Sequence, residues 1–328
     1  MARLQIMARV YLSHSLHPGA EALLHPHASM AVATSFDAEA MQREAYDADV
    51  VITRAPVPSS LIERAPRLRA IIRHGSSAEL VPMEAATNRG VLVSHVPGAS
   101  ARSVAEHAIF GAMTLLRRFR TIEQSFRHDG WFAGRAPAAD SVELGGRTIG
   151  IIGLGPVGRA VQSVAAAFGM RTLITTRARK PLPKGSESRP LEDLLAESDI
   201  VVVCCSLTDQ TLRMIDAERL ALMRREAILI NVARGPIVVE AALIEALKSG
   251  ALAGAVLDVF ETQPLAPSHP LFGLSNVVLT PTIAGTTAVA MERQSIGAAQ
   301  EAVRILGGDL PANLINEGAV EIYRRRFG

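Results

Sequence analysis

The sequence is poor in cysteine: Cys204 and Cys205 are its only two, and they are adjacent. A disulfide framework needs separated pairs, so the chain reads as a reduced, cytoplasmic one. The two thiols follow the apolar run Ile200–Val203 and read as small residues ending a buried strand, with a metal or redox pair as the other reading. A surplus of one charge is also missing. Thirty-four basic against 32 acidic side chains leave +2, which argues against a general nucleic-acid or membrane-surface binder. Apolar runs stay well short of the roughly 18–20 residues of a membrane span. No basic n-region with an apolar h-region opens the chain, and Met7 offers an alternative start. No fixed period marks a solenoid or propeller. What is present is ordinary globular composition, 48% hydrophobic and 20% charged, which excludes a disordered chain. At roughly 150 residues per domain, 328 residues suggest about two domains.

Short β-branched runs alternate with amphipathic, Ala-rich stretches, which implies parallel strands in an α/β architecture. Val10–Leu12, Val50–Ile52, Leu68–Ile72 and Val91–Val93 are the first strands, with helices near 17–25, 37–46, 59–65 and 82–88. A longer helix is expected over 101–119 and a Gly/Ala/Pro-rich loop over 128–140. A second series places strands at 148–152, 171–175, 200–204, 227–231, 253–259 and 276–280. Its helices fall at 157–168, 191–197, 216–223 and 239–249, and residues 177–190 read as a loop. A last helix spans 288–306, with Glu301 and Arg304 outward.

The run Gly153-Leu154-Gly155-Pro156-Val157-Gly158 has G-x-G-x-x-G spacing between a strand and a helix, the context of a dinucleotide-binding turn. Gly153 permits the tight turn, Gly155 lets backbone approach a pyrophosphate, and Gly158 lets helix and strand pack closely. The pyrophosphate would sit on the N–H groups and positive dipole end of the helix starting near Val157. NAD sites usually place a carboxylate about 20 residues on, for the ribose 2′-hydroxyl. Here the strand ends Thr175-Thr176-Arg177-Ala178-Arg179-Lys180, without one. Guanidinium groups bind phosphate oxygens bidentately, so Thr176, Arg177 and Arg179 point to NADP, with NAD possible.

At this point the chain resembles the D-isomer-specific 2-hydroxyacid dehydrogenases, the family of phosphoglycerate dehydrogenase and hydroxypyruvate/glyoxylate reductase. The resemblance rests on Ser103-Val104-Ala105-Glu106-His107, Leu144–Gly150, the Gly turn, Leu229–Gly235, Leu257–Glu261, His269–Phe272 and Asn276–Pro281, in order along the chain. It implies hydride transfer between a nicotinamide cofactor and C2 of a small 2-oxo or 2-hydroxy acid. Arg234 matches the arginine that binds carboxylate and carbonyl, a fixed cation that orients substrate. Arg73-His74-Gly75-Ser76-Ser77 matches the loop whose N–H groups also hold the carboxylate, with Ser77 in place of a glycine. Cofactor contacts are implied at Cys205, Ser206, Thr208, Val232, Ala233, Asp258, Ala284 and Gly285. The resemblance also implies a homodimer using helix 101–119 and the following arm. Trp131 is either an active-site cap or a packed core or interface residue.

One position departs from the family. A histidine normally follows Thr-Pro there and protonates the carbonyl oxygen, paired with a carboxylate. Here those positions are Thr282 and Gln263. A threonine hydroxyl has no pKa near 7, so His74 or a water held by Thr282 would have to help. Two readings follow: a glyoxylate- or hydroxypyruvate-like reductase of reduced activity, or a low-activity nucleotide-binding sensor or partner-binding protein. Either has an α/β fold of two domains with Rossmann-like doubly wound parallel sheets. The dinucleotide-binding domain, 100–287, is expected to be inserted into a flavodoxin-like substrate domain made of 1–99 plus 288–328.

Overall fold

The β-branched runs form parallel strands buried on both faces, and the amphipathic stretches between them supply the covering helices. The structure is a computed structural model that describes residues 7–35, 37–177 and 181–328. The order begins β1 (Ala8–Leu12), α1 (Pro18–Leu24), β2 (Ala28–Val32), α2 (Ala38–Glu44), β3 (Val50–Thr53) and α3 (Ser59–Arg64). It continues β4 (Ala70–Arg73), α4 (Met83–Arg89), β5 (Leu92–Ser94), α5 (Ala101–Leu116), α6 (Phe119–Asp129) and α7 (Trp131–Arg135). Then come β6 (Thr148–Ile152), α8 (Pro156–Ala167), β7 (Arg171–Thr175), β8 (Ser186–Ser188), α9 (Leu191–Glu197) and β9 (Ile200–Val203). The rest is α10 (Ala217–Leu222), β10 (Ile228–Asn231), α11 (Glu240–Lys248), β11 (Gly254–Leu257), β12 (Val277–Leu279), α12 (Ala288–Leu306) and α13 (Val320–Phe327). Packing divides the chain into two units, Met1–Ser100 with Thr286–Gly328, and Ala101–Gly285.

In the first unit the strands order β2-β1-β3-β4-β5, the flavodoxin arrangement, all parallel. Alternation decides the two faces. Val10, Leu12, Val50 and Ile52 meet Leu24 of α1 and Ala298, Ala302 and Ile305 of α12. Tyr11, Val51 and Ile71 meet Met41, Leu61 and Ile62 on the other side. The second unit orders β12-β11-β10-β9-β6-β7-β8, a doubly wound sheet whose direction of winding reverses between β6 and β9. Ile149, Ile151, Val202 and Ile230 pack on Ala108 and Ala112 of α5 and Val161 of α8. Val201, Val203 and Leu229 pack on Leu194, Leu220 and Leu243 of the opposite layer.

Several expectations change. β2 is absent from the sequence reading because Ala28–Val32 is an edge strand with little burial and no β-branched run. Helix 101–119 ends at Leu116: Arg118 turns left-handed, φ 50°, and α6 starts anew. The expected loop 128–140 holds α7 and a 3₁₀ turn, Ala136–Asp140. The expected loop 177–190 contains β8, joined to β7 by the Arg171–Glu187 pair, while Arg179 and Lys180 lie outside the described residues. Glu301 is not outward. It is 5% exposed and accepts from Ser94 Oγ and Asn313 Nδ2.

Candidate active site

The turn after β6 is shaped by close approach. Gly153 has φ 102°, and a Cβ there would lie 2.8 Å from the Cys205 backbone. At Gly158 a Cβ would meet the Gly153 carbonyl oxygen at 2.1 Å, so α8 packs on β6 only with glycine. Gly155 is different: its backbone is ordinary extended chain and a Cβ would enter open space. Gly155 is the N-cap of α8, whose first turn carries no acidic side chain. A cradle of this kind accepts a pyrophosphate on backbone N–H groups. Pro156 occupies the first helical position, where a missing N–H costs nothing, and Val157 follows it.

Thr176 and Arg177 follow β7 without a carboxylate; Arg177 is exposed and donates to Gln210 Oε1 at 3.1 Å. Cys205, Ser206 and Thr208 follow β9. Thr211 ties this turn, its hydroxyl donating to the Ser206 carbonyl at 2.7 Å and accepting from Thr208 N at 2.8 Å. Sequence reading missed Thr211, although its three-residue spacing from Thr208 is a turn signal. Burial pushes the Cys205 thiol up, so neither adjacent cysteine is poised as a thiolate. Among the described residues no His/Cys/Asp/Glu group is arranged to hold a metal.

β10 ends in Asn231, whose amide organises the next turn. Its Oδ1 accepts from Ala233 N at 3.1 Å and its Nδ2 donates to the Arg234 carbonyl at 3.0 Å. Val232 and the buried Ala233 lie within that turn. Arg234 is half-buried, and its guanidinium also donates to the Ala233 carbonyl at 2.6 Å. The next residue must be glycine: a Cβ on Gly235 would fall 1.9 Å from the Phe260 backbone.

Asp258 follows β11 and is 4% exposed. Its Oδ1 accepts from Thr280 Oγ1 at 2.6 Å and Ile283 N at 2.8 Å, and its Oδ2 from Ala284 N at 2.9 Å. His107 Nε2 lies 3.0 Å from Thr280 Oγ1; because that hydroxyl donates to Asp258, the imidazole is the donor to it. The clamp fixes the turn through Gly285, and within it Thr282 takes φ 56°, a conformation rare for a β-branched residue. The Thr282 hydroxyl donates to Gln263 Oε1 at 3.3 Å, so the two residues are paired. Glu261 is engaged elsewhere, accepting from Glu240 N at 3.2 Å, and Glu240 also pairs with His269.

In the first unit β4 leads into Gly75, Ser76 and Ser77. Their carbonyls are all held: Gly75 O accepts from Val96 N, Ser76 O pairs with His95 Nδ1, and Ser77 O accepts from Arg73 Nε. In trans peptides each carbonyl opposes the next N–H, so the N–H groups of Ser76, Ser77 and Ala78 each point away from the partner of the preceding carbonyl. Ser77 does not need positive φ, so replacing glycine there leaves the loop intact. Of the two alternatives for the missing acid, His74 or a water held by Thr282, the surroundings of His74 do not favour the first. Its side chain is 2% exposed, Nε2 is 2.8 Å from Ser295 Oγ, and its ring packs edge-on against His14. Burial, with His14 and Arg54 nearby, lowers His74 to about 3, so it is a neutral imidazole, not an imidazolium acid, at neutral pH.

Trp131, 62% exposed, contacts Phe126, and Phe132 beside it is 87% exposed. No helix among the described residues is long and apolar enough to cross a membrane.

Residues 109–284 match the D-isomer specific 2-hydroxyacid dehydrogenase NAD binding domain. A glyoxylate reductase of Aeropyrum pernix is 35% identical over 97% of this chain and 99% of its own. Among solved structures, an acyclic imino acid reductase in complex with NADPH and D-Arg superposes with TM-score 0.86, 25% identity, and coverage of 94% and 99%. An NADPH-dependent glyoxylate/hydroxypyruvate reductase of Sinorhizobium meliloti gives 0.84, 27%, 95% and 98%. With the Gly turn, the Asn231–Gly235 turn and the Asp258 clamp in place, the chain belongs to the D-isomer specific 2-hydroxyacid dehydrogenase family.

Proposed function

We propose that the protein reduces a small 2-oxo acid of the glyoxylate or hydroxypyruvate class at C2, with NADPH preferred over NADH. The observation that carries this is Arg234, a half-buried cation set by the Asn231 amide and the Gly235–Phe260 backbone contact. A guanidinium held this way binds a carboxylate bidentately and polarises the adjacent carbonyl. The family resemblance adds the N–H groups of Ser76 and Ser77 as carboxylate donors. When bound, the nicotinamide cofactor supplies the hydride. Gly153, Gly155, Pro156, Val157 and Gly158 hold its pyrophosphate, and Thr208, Cys205 and Ser206 border its adenosine. Val232, Ala233, Asp258, Ala284 and Gly285 form the nicotinamide side. Thr176 and Arg177 answer the 2′-phosphate, since neither is a carboxylate that would repel it.

The cofactor-binding domain is assigned to 100–287 and the substrate domain to 1–99 with 288–328. Exposed Phe110, Phe119, Phe126, Trp131 and Phe132 favour a homodimer through α5–α7, which sedimentation at two concentrations tests. A panel of 2-oxo acids with NADPH and NADH tests the activity. Turnover that Arg234→Ala abolishes, with a lower KM for NADPH, supports it. The sensor reading replaces it if nothing is reduced by the wild type and Thr282→His gains activity.

A further inference from the structure

The chemistry at Thr282 narrows the substrate. Reduction of a carbonyl places negative charge on oxygen as hydride arrives, and a proton donor there is worth roughly 10²–10⁴-fold. The resemblance puts Thr282 at that place, and its hydroxyl proton is directed at Gln263 Oε1, 3.3 Å away. What remains on Oγ1 is a pair of acceptor lone pairs. Thr282 is held in a left-handed conformation that a β-branched residue rarely adopts, and residues so held cluster at functional positions. Here Thr282 N donates to the Asp258 carbonyl at 2.8 Å, and the next two N–H groups are fixed by the Asp258 carboxylate. The nearby titratable groups are tied to other partners: His107 to Thr280, His269 and Glu261 to Glu240. The Thr282 hydroxyl is thus left with acceptor capacity on this turn.

We propose that the reacting group is the protonated imine of a 2-oxo acid, formed with ammonia or a primary amine, whose N–H donates to Thr282 Oγ1. This rests on the reductase reading above and names its substrate. Condensation of the 2-oxo acid with the amine releases water and yields a C=N bond that already carries the proton. Hydride adds to C2, the C=N π pair moves onto nitrogen, and the positive charge is cancelled. No proton from the protein is needed; the neutral amine takes one from solvent to leave as an ammonium. The carboxylate is unchanged and remains the partner of Arg234.

The test supplies the full-length protein with NADPH and glyoxylate or pyruvate, alone, with ammonium, and with methylamine, and identifies products by mass spectrometry. The expected result is an amino acid or N-methyl amino acid formed about 100-fold faster than the hydroxy acid. The two amine arms distinguish ammonia from a primary amine as nitrogen source. Hydroxy acid formed at a rate indifferent to amine overturns the inference and leaves the reductase reading standing. No product from any mixture, with NADPH binding intact by calorimetry, overturns both.

Thr282→Val keeps the β-branched shape and removes the acceptor; amine product should fall at least about tenfold. Thr282→His should shift the product ratio toward hydroxy acid. Calorimetry of the NADP⁺-loaded protein gives a readout without turnover: N-methylglycine should bind more tightly than glycolate, and Thr282→Val should remove the difference. Equal binding of the two by the wild type overturns the inference.

Discussion

Asp258→Asn replaces a carboxylate by an amide of the same size at a site where three donors converge. Thr280 Oγ1 and Ile283 N share Oδ1, and Ala284 N uses Oδ2. An amide has one oxygen, so whichever way it turns its NH2 group faces at least one N–H or O–H that needs an acceptor. With the oxygen at the Oδ1 position, Ala284 N–H is orphaned at a site only 4% exposed, at a cost of about 1–3 kcal/mol. The other two bonds lose charge assistance, about 1 kcal/mol each. The turn should therefore open more easily by about 3–5 kcal/mol. Native-state hydrogen exchange at Ile283 and Ala284 measures this directly and should speed up about 10²–10⁴-fold, while amides of β1 and β3 stay unchanged. Because Thr282 rides on the same turn, and Asp258, Ala284 and Gly285 are assigned to the nicotinamide side, turnover and cofactor affinity should fall together. A change below about 1 kcal/mol at those two amides would refute the clamp, since desolvated donors cannot lose an acceptor so cheaply.

Gly155→Ala should leave the apo-protein's melting temperature unchanged or slightly raised, because its Cβ enters open space, yet weaken NADPH binding at least about tenfold, read by calorimetry. Gly158→Ala, with its Cβ 2.1 Å from the Gly153 oxygen, should lower both melting temperature and affinity. Burial, with Arg54 and Arg73 nearby, lowers His14 to about 4, as burial lowers His74 to about 3, against 6.5 unfolded. The unfolded chain thus binds more protons below pH 6.5: stability is full above that value and falls as pH drops through about 4. Melting temperature against pH should show a loss of roughly 2–5 kcal/mol that His74→Gln makes shallower. Arg177→Ala should raise the KM for NADPH about tenfold while sparing NADH, and an equal effect on both would remove its part in the preference.

The strands of both sheets were legible because fully buried parallel strands are written as short β-branched runs, such as Val50–Ile52 and Ile200–Val203. β2 and β8 were not, since edge strands take polar or small residues and owe their pairing to neighbours. Glu301 reads as an outward helix position by period alone; it is buried because Ser94 and Asn313, distant in sequence, supply its partners. Gly158 could be named from motif spacing, and Arg234 from the family resemblance. The pinning of the 75–77 carbonyls could not, because Arg73, His95 and Val96 converge on them only through the fold.

The sequence by itself determined the parallel α/β architecture, the glycine turn after β6 and a hydroxyl, in place of a group that titrates near neutral pH, at Thr282. These are local properties: hydrophobic period, glycine spacing and the functional group of one side chain. Only the tertiary structure decided what the hydroxyl of Thr282 does with its proton, that His74 is sealed away as a neutral imidazole, and that Asp258 spends its oxygens on the turn that carries Thr282. Hydrogen-bond direction and desolvation depend on which distant atoms meet, and that information exists only once the chain is folded.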